Sequence, residues 1–318
     1  MLGNTERRRI VLPITYVVNV PVTDVWDSPE SRGEHNRLTQ ALLGDPVLAE
    51  EKNNFWLKVQ VPDGYRGYVQ RAHLVPASAP CSSLKGTVIT AQTQIQLVEE
   101  EAPHHRQITA YLGTKLQLAQ GTGPGTRDYH YTVYLPDGKT GLIGQDSVAV
   151  GKPSRHLAQV AERAQRLALC FIEAPYLWGG ITCAGVDCSG LVYATYRCAG
   201  LLLPRDADQQ YLSSQPVAGP PVPGDLVFFA TEEPDVASHV GLYLGQERFL
   251  HASSRLGGVV ITSLNSPFYQ RHLLGWHRCR ANCRRPGSAA GFESAEGEVS
   301  RREQEARSDW IEVPPVGS

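Results

Sequence analysis

The chain lacks the features that mark several large classes of protein. It has no uninterrupted apolar run near the ~18 residues that cross a bilayer as a helix. Its charge is almost balanced, with 30 Lys and Arg against 32 Asp and Glu for a formal net charge of −2. No basic field therefore calls for nucleic acid or an anionic membrane surface. A single Met beside 22 Pro speaks against an all-helical fold. The opening MLGNTERRRIVLPITYVVNV has basic residues before apolar ones, but Pro13 and Thr15 break the run. No small-residue cleavage site precedes Asp24, so no export leader is expected. Seven cysteines, an odd number, with no leader fit thiols kept reduced in the cytoplasm. Cys279 and Cys283 have no second Cys or His pair nearby, which speaks against a zinc site.

What remains is an ordinary globular composition, 42% hydrophobic and 19% charged over 318 residues, long enough for two or three domains. One internal repeat is visible. VQVPDGYRGYVQRAHLV begins at Val59 and VYLPDGKTGLIGQDSVAV at Val133, an offset of 133 − 59 = 74 residues. Each reads as a strand, a P-D-G turn and a second short strand; proline pre-sets φ and glycine accepts a positive one. Two small β domains are expected, over 1–78 and 79–150.

The pattern changes after Gly151. Leu157, Val160, Ala161, Ala164, Leu167 and Ala168 recur at helical spacing, with Ser154 as candidate N-cap and Pro175 as stop. A second helix is expected from about Cys188 to Cys198. The runs GDLVFFA, SHVGLYLG, RFLHAS and GVVITSL then read as short antiparallel strands. Helices followed by strands predict an α+β domain over 151–283. The charged, Gly/Ser/Pro-containing segment 284–318 reads as a disordered tail.

The chemistry-bearing stretch is YLWGGITCAGVDCSGLVYATY, Tyr176–Tyr196. Cys188 stands where a loop enters a helix, a place whose free N–H groups and partial positive charge favour a thiolate. Cys183 lies out in the loop without that setting. Taken alone, D-C-S-G fits a buried structural thiol as well. A cysteine nucleophile needs a base, usually histidine, oriented by a third polar group. His239 and His251, twelve residues apart on consecutive expected strands, would stand side by side in an antiparallel pair. Cys170 and Cys198 fall on expected helices and read as core.

YLWGG…DCSG, LPRDADQQ, PGDLVFFA, SHVGLYLG and FLHASS, in that order and spacing, resemble the NlpC/P60 cysteine peptidases over about 172–280. The resemblance implies a papain-like α+β domain acting on bacterial cell-wall peptides, with Cys188 as nucleophile, His239 as base and His251 as its orienting partner. VNVPVTDVWDSPE, RLTQALLGDPV and DGYRGYV resemble the SH3-like β domains of one branch of that family. That branch holds γ-D-glutamyl-L-diamino acid endopeptidases of the dipeptidyl-peptidase VI type. It implies release of L-Ala-γ-D-Glu from murein tripeptides or tetrapeptides with a free N-terminal alanine, by an enzyme without metal or cofactor and with no nucleic acid or membrane partner.

The resemblance carries over Asp206 as ligand of the substrate ammonium group, and Asp187 and Ser189 as substrate contacts; a capping role for Asp187 is compatible. Tyr65, whose place in the second repeat is taken by Lys139, is expected to reach into the site from the first β domain. Tyr68 reads better as a strand residue. Trp178 is expected to line the cleft, with core packing an open alternative. Arg205 is expected to pair with a structural carboxylate. Two competing readings are an exported endopeptidase or amidase acting on intact wall, and a non-catalytic wall-binding protein.

Overall fold

The computed structural model describes residues 14–30, 33–52, 55–98, 106–119, 129–151, 153 and 156–280. Ser154, Cys283 and the segment 284–318 lie outside the described residues.

Alternating apolar and polar residues build two seven-stranded antiparallel sheets. The first holds β1 (Ile14–Val18), β2 (Val22–Trp26), β3 (Arg37–Leu42), β4 (Pro46–Lys52), β5 (Trp56–Gln60), β6 (Arg66–Gln70) and β7 (Leu74–Pro76). The second holds β8 (Lys85–Val88), β9 (Gln92–Leu97), β10 (Gln107–Tyr111), β11 (Lys115–Leu118), β12 (His130–Tyr134), β13 (Thr140–Gly144) and β14 (Val148–Val150). Their strand orders are β3-β2-β6-β5-β4-β1-β7 and β10-β9-β13-β12-β11-β8-β14. Subtracting seven from each label of the second order gives the first, so the repeat extends to the whole topology. The P-D-G turns superpose in kind: Val61 N–H donates to the Tyr65 carbonyl at 2.9 Å and Leu135 N–H to the Lys139 carbonyl at 2.8 Å. Gly64 and Gly138 take the positive φ these turns require, 91° and 87°.

The remaining residues form an α+β unit. Helix α1 (Leu157–Ala168) buries Val160, Ala164, Leu167 and Ala168. A short hairpin, β15 (Ile181–Thr182) and β16 (Gly185–Val186), leads into α2 (Cys188–Ala199), and α3 (Ala207–Ser213) follows. A six-stranded antiparallel sheet comprises β17 (Gln215–Pro216), β18 (Leu226–Phe229), β19 (His239–Gly245), β20 (Arg248–Ser253), β21 (Gly258–Ser263) and β22 (Leu273–Arg278), with α4 (Pro267–His272) before its last strand. Its order is β17-β22-β18-β19-β20-β21. Helix α2 packs between α1 and strands β19 and β20.

Two local expectations are corrected. Helix α1 ends at Ala168, not at Pro175, because the chain tightens into a 3₁₀ turn over Leu169–Phe171. Phe171 continues the buried stripe of Val160, Ala164, Leu167 and Ala168, and Cys170 falls off it. Cys170 is therefore exposed, whereas Cys198 is core as expected.

The β domains are welded to the α+β unit. Leu42 and Leu112, one from each, are buried in the same apolar cluster as α2. The Arg197 guanidinium pairs with Asp45 of the first domain. The Cys198 and Cys183 thiols donate to the Val88 and Ala91 carbonyls of the second, at 3.5 and 3.4 Å.

Candidate active site

Helix α2 begins where it does because Asp187 caps it: Oδ1 accepts from Gly190 N–H at 2.6 Å. The other oxygen, Oδ2, accepts from Gly179 N–H at 2.7 Å, tying the Y-L-W-G-G turn to the same residue. Gly190 is required by close approach, since a Cβ there would stand 2.1 Å from the Gly180 carbonyl oxygen. Gly200, at φ 106°, closes the helix in the left-handed region. The helix is buried almost all round, so Cys188 at its first position is fixed in orientation and only 7% exposed.

Arg205 organises this corner. It is 2% exposed and donates from Nη1 to Asp187 Oδ1 and Ser189 Oγ, each at 2.9 Å. Its Nη2 donates to Asp187 Oδ2 at 2.7 Å and to the Gly180 carbonyl at 3.1 Å. Its Nε reaches Thr39 Oγ1 of the first β domain at 3.2 Å, and Thr39 in turn donates to Asp63 at 2.6 Å. The expected structural carboxylate of Arg205 is thus Asp187. Asp187 and Ser189, expected to meet substrate, also carry internal contacts: Asp187 to Arg205 and the Gly190 and Gly179 amides, Ser189 to Arg205. Both charges are buried, and each is paired and hydrogen-bonded, as a buried charge requires.

The histidines stand as the antiparallel pairing predicts. His239 Nε2 lies 2.8 Å from His251 Nδ1. His251 is fully buried, stacked on Phe249 at 4.5 Å between centroids and met edge-on by Tyr269 at 5.2 Å. With Nε2 engaged, the nitrogen His239 has left for a thiol is Nδ1.

Burial dominates the titration of all three groups. It pushes the Cys188 thiol up to about 12, reinforced by the Asp187 charge and opposed by the Val240 and Ser189 amides and by Arg205. It holds His239 down at about 4, against the pull of Asp187. It holds His251 down at about 2, with neighbouring His239 adding to the effect. The rise of Cys188 from 9.0 to about 12 amounts to about 4 kcal/mol. A helix terminus offers roughly 0.3–2 kcal/mol. Burial thus works against the thiolate that the terminus favours at Cys188, and it favours the neutral imidazole of His239 as well.

On the side of the first β domain, Tyr65 O–H donates to Asp206 Oδ2 at 2.5 Å, and Gln209 Nε2 donates to the same oxygen at 2.8 Å. Oδ1 of Asp206 has no partner among the described residues. Burial raises the Asp206 carboxyl, opposed by Tyr65 and Arg205. Tyr68 is a β6 residue as expected. Trp178 is 38% exposed at the mouth of the Y-L-W-G-G turn, edge-on to His35 at 4.9 Å, so core packing is not its role.

Sequence reasoning missed three neighbours. Tyr176 and Tyr269 stand close enough to Cys188 for a thiolate there to oppose the ionisation of either hydroxyl. Thr262 Oγ1 lies 2.9 Å from His251 Nε2. Tyr176 opens the very motif that flags the site, whereas Tyr269 and Thr262 carry no local signal. Among the described residues, no group of three or more His, Cys, Asp and Glu side chains is disposed to hold a metal.

Comparison with known proteins gives this geometry its context. The model of the NlpC/P60 family matches residues 173–278, and that of the bacterial dipeptidyl-peptidase Sh3 domain matches 27–74. A probable endopeptidase of Haemophilus influenzae is 37% identical over 124 residues, covering 38% of this chain and 74% of that protein. The chain belongs to the NlpC/P60 family. This NlpC/P60 protein is a cysteine peptidase with an α+β papain-like domain behind SH3-like β domains. It is also similar to the γ-D-glutamyl-L-lysine dipeptidyl-peptidase of Bacillus subtilis, 29% identical over 256 residues that cover 76% of this chain and 80% of that one. A crystal structure of an NlpC/P60 family protein from Bacillus cereus shares the fold, with a TM-score of 0.71 at 21% identity over 83% of this chain and 98% of that chain.

Proposed function

We propose that the protein is a cysteine endopeptidase that cuts the γ-D-Glu–L-diamino acid bond of murein stem peptides with a free N-terminal L-Ala. The contact that carries this reading is Tyr65 to Asp206, 2.5 Å long and made from one domain to another. A carboxylate held there, with one oxygen open, rewards an ammonium group. The tyrosine closes the site against a longer chain. The kinship with a γ-D-glutamyl-L-lysine dipeptidyl-peptidase supports the same bond.

The steps are written from a neutral thiol and a neutral imidazole. The Cys188 thiol gives its proton to His239 Nδ1 as the sulfur attacks the γ-carbonyl carbon. The Cys188 backbone N–H, without an intrahelical partner at the first position of α2, helps hold the oxyanion. The His239 imidazolium then protonates the amine of the diamino acid. The C–N bond breaks and a thioester to L-Ala-γ-D-Glu remains. His239 takes a proton from water, hydroxide attacks the thioester carbon, and the dipeptide leaves as the Cys188 thiol is restored. His251 orients His239 throughout.

A pocket for a free amine suits turnover peptides better than cross-linked wall, and on that ground we assign the enzyme to peptide recycling in the cytoplasm. The test is hydrolysis of L-Ala-γ-D-Glu-diaminopimelate beside intact sacculi, with Cys188→Ala as control. Cleavage of the peptide alone, abolished in the control, supports the reading. Solubilisation of sacculi at a comparable rate moves the enzyme to wall remodelling.

A further inference from the structure

Two neutral imidazoles in line can be wired in only two ways. In the first, His239 carries its proton on Nε2 and donates to His251 Nδ1, so His251 carries its own proton on Nε2. His239 Nδ1 then presents a lone pair. In the second, His251 Nδ1–H donates to His239 Nε2, and the proton of His239 sits on Nδ1. That nitrogen can then take nothing from a thiol. Both wirings satisfy the 2.8 Å contact between the rings. The group at the far end of His251 can tip the balance between them.

That far end is Thr262 Oγ1, at 2.9 Å from His251 Nε2. The placement follows from strand register. His251 pairs with Val260 and Phe249 with Thr262, so Thr262 is the diagonal neighbour of His251 on the same face of β20 and β21. Elsewhere the ring is walled by Phe249 and Tyr269. The Tyr269 hydroxyl is itself bonded to Ser253. Thr262 is half-buried, so its own hydroxyl proton can point to solvent while its oxygen accepts.

We propose that Thr262 selects the working tautomers: by accepting from His251 Nε2–H it leaves His251 Nδ1 as acceptor for His239 Nε2–H, and so keeps a lone pair on His239 Nδ1. The inference rests on the proposed roles of Cys188, His239 and His251, and Thr262 acts through them as a positioning residue. Without the hydroxyl, the first wiring would leave an orphaned N–H on a fully buried ring. Orphaned buried donors are rarer than orphaned acceptors. The His251 proton would then move to Nδ1, and the second wiring, with a blocked base, would prevail.

The experiment uses the full chain, ¹⁵N-labelled, with Thr262→Val, Thr262→Ser and Cys188→Ala. Long-range ¹H–¹⁵N correlations identify which ring nitrogen of each histidine is protonated. Hydrolysis of L-Ala-γ-D-Glu-diaminopimelate gives kcat and KM. In the wild type both histidines should be protonated on Nε2. Thr262→Val should shift both protons to Nδ1 and lower kcat ~100-fold, the lower end of what a positioned base contributes, with KM unchanged. Thr262→Ser should restore nitrogen shifts and kcat together. Wild-type His251 protonated on Nδ1 overturns the proposal without any variant. So does Thr262→Val with unmoved nitrogen shifts and wild-type kcat, provided Cys188→Ala is inactive. Full activity in Cys188→Ala refutes the reading of the site itself and this inference with it.

Discussion

Replacing Arg205 by methionine should cost far more than a typical polar substitution. The guanidinium is 2% exposed and donates five hydrogen bonds, two of them to the Asp187 carboxylate and one to Thr39 in another domain. Methionine fills most of the volume but leaves Asp187 as a buried anion. Its remaining support is the Gly179 and Gly190 amides and the Ser189 hydroxyl. Removing one partner of a buried ion pair costs about 3–5 kcal/mol. Total stability of folded proteins is about 5–15 kcal/mol, so a large fraction is at stake. Urea unfolding of wild type, Arg205→Met, Asp187→Asn and the double variant measures this directly. The double variant should be markedly more stable than the sum of the single losses predicts, because no stranded charge remains. A loss below ~1 kcal/mol for Arg205→Met, or strict additivity, would refute the argument that this pair locks the start of α2 to the first β domain.

The same geometry bears on pH dependence, thiol labelling and the Tyr65 contact. With His239 held down at about 4, the acid limb of kcat/KM should fall near that value instead of the usual 6.5; an acid limb at 6.5 would show that the base is solvated. The sign for stability is the same: a depressed histidine contributes fully above 6.5, and the contribution is lost as pH falls through about 4, measurable by acid unfolding of His239→Gln beside wild type. A thiol-specific maleimide at neutral pH should label exposed Cys81 and Cys170 quickly without loss of activity, while buried Cys188 reacts slowly and its labelling tracks inactivation. Tyr65→Phe removes one hydrogen bond to a charged group, worth about 1.5–3 kcal/mol, and should raise KM for the free-amine peptide at least ~10-fold with little change in kcat.

What the sequence made legible was local. The P-D-G turns at 62–64 and 136–138 disclosed a repeat that extends to the order of all seven strands in each sheet. Helix-start chemistry at Asp187 and Cys188, and two histidines on consecutive strands, pointed to a helix that begins at Cys188 and to a His239–His251 contact. Burial was not legible. It opposes the thiolate that the helix terminus favours at Cys188, and it sets the side chains of Asp187 and Ser189 against Arg205. Thr262 and Tyr269 escaped because their relation to His251 depends on strand register and on α4 folding back over the sheet. Cys170 was misread because its place on a helix was taken without its face: the stripe through Ala164, Leu167 and Ala168 reaches Phe171 and passes Cys170 by.

The most direct test of the account compares kcat/KM for L-Ala-γ-D-Glu-diaminopimelate and its N-acetylated form, in the wild type and in Asp206→Asn. The wild type should prefer the free amine by roughly 100-fold or more, as expected for a charged pair out of bulk water. That preference should collapse to within a few-fold in Asp206→Asn. Equal cleavage of both peptides by the wild type, or an undiminished preference in Asp206→Asn, would contradict it.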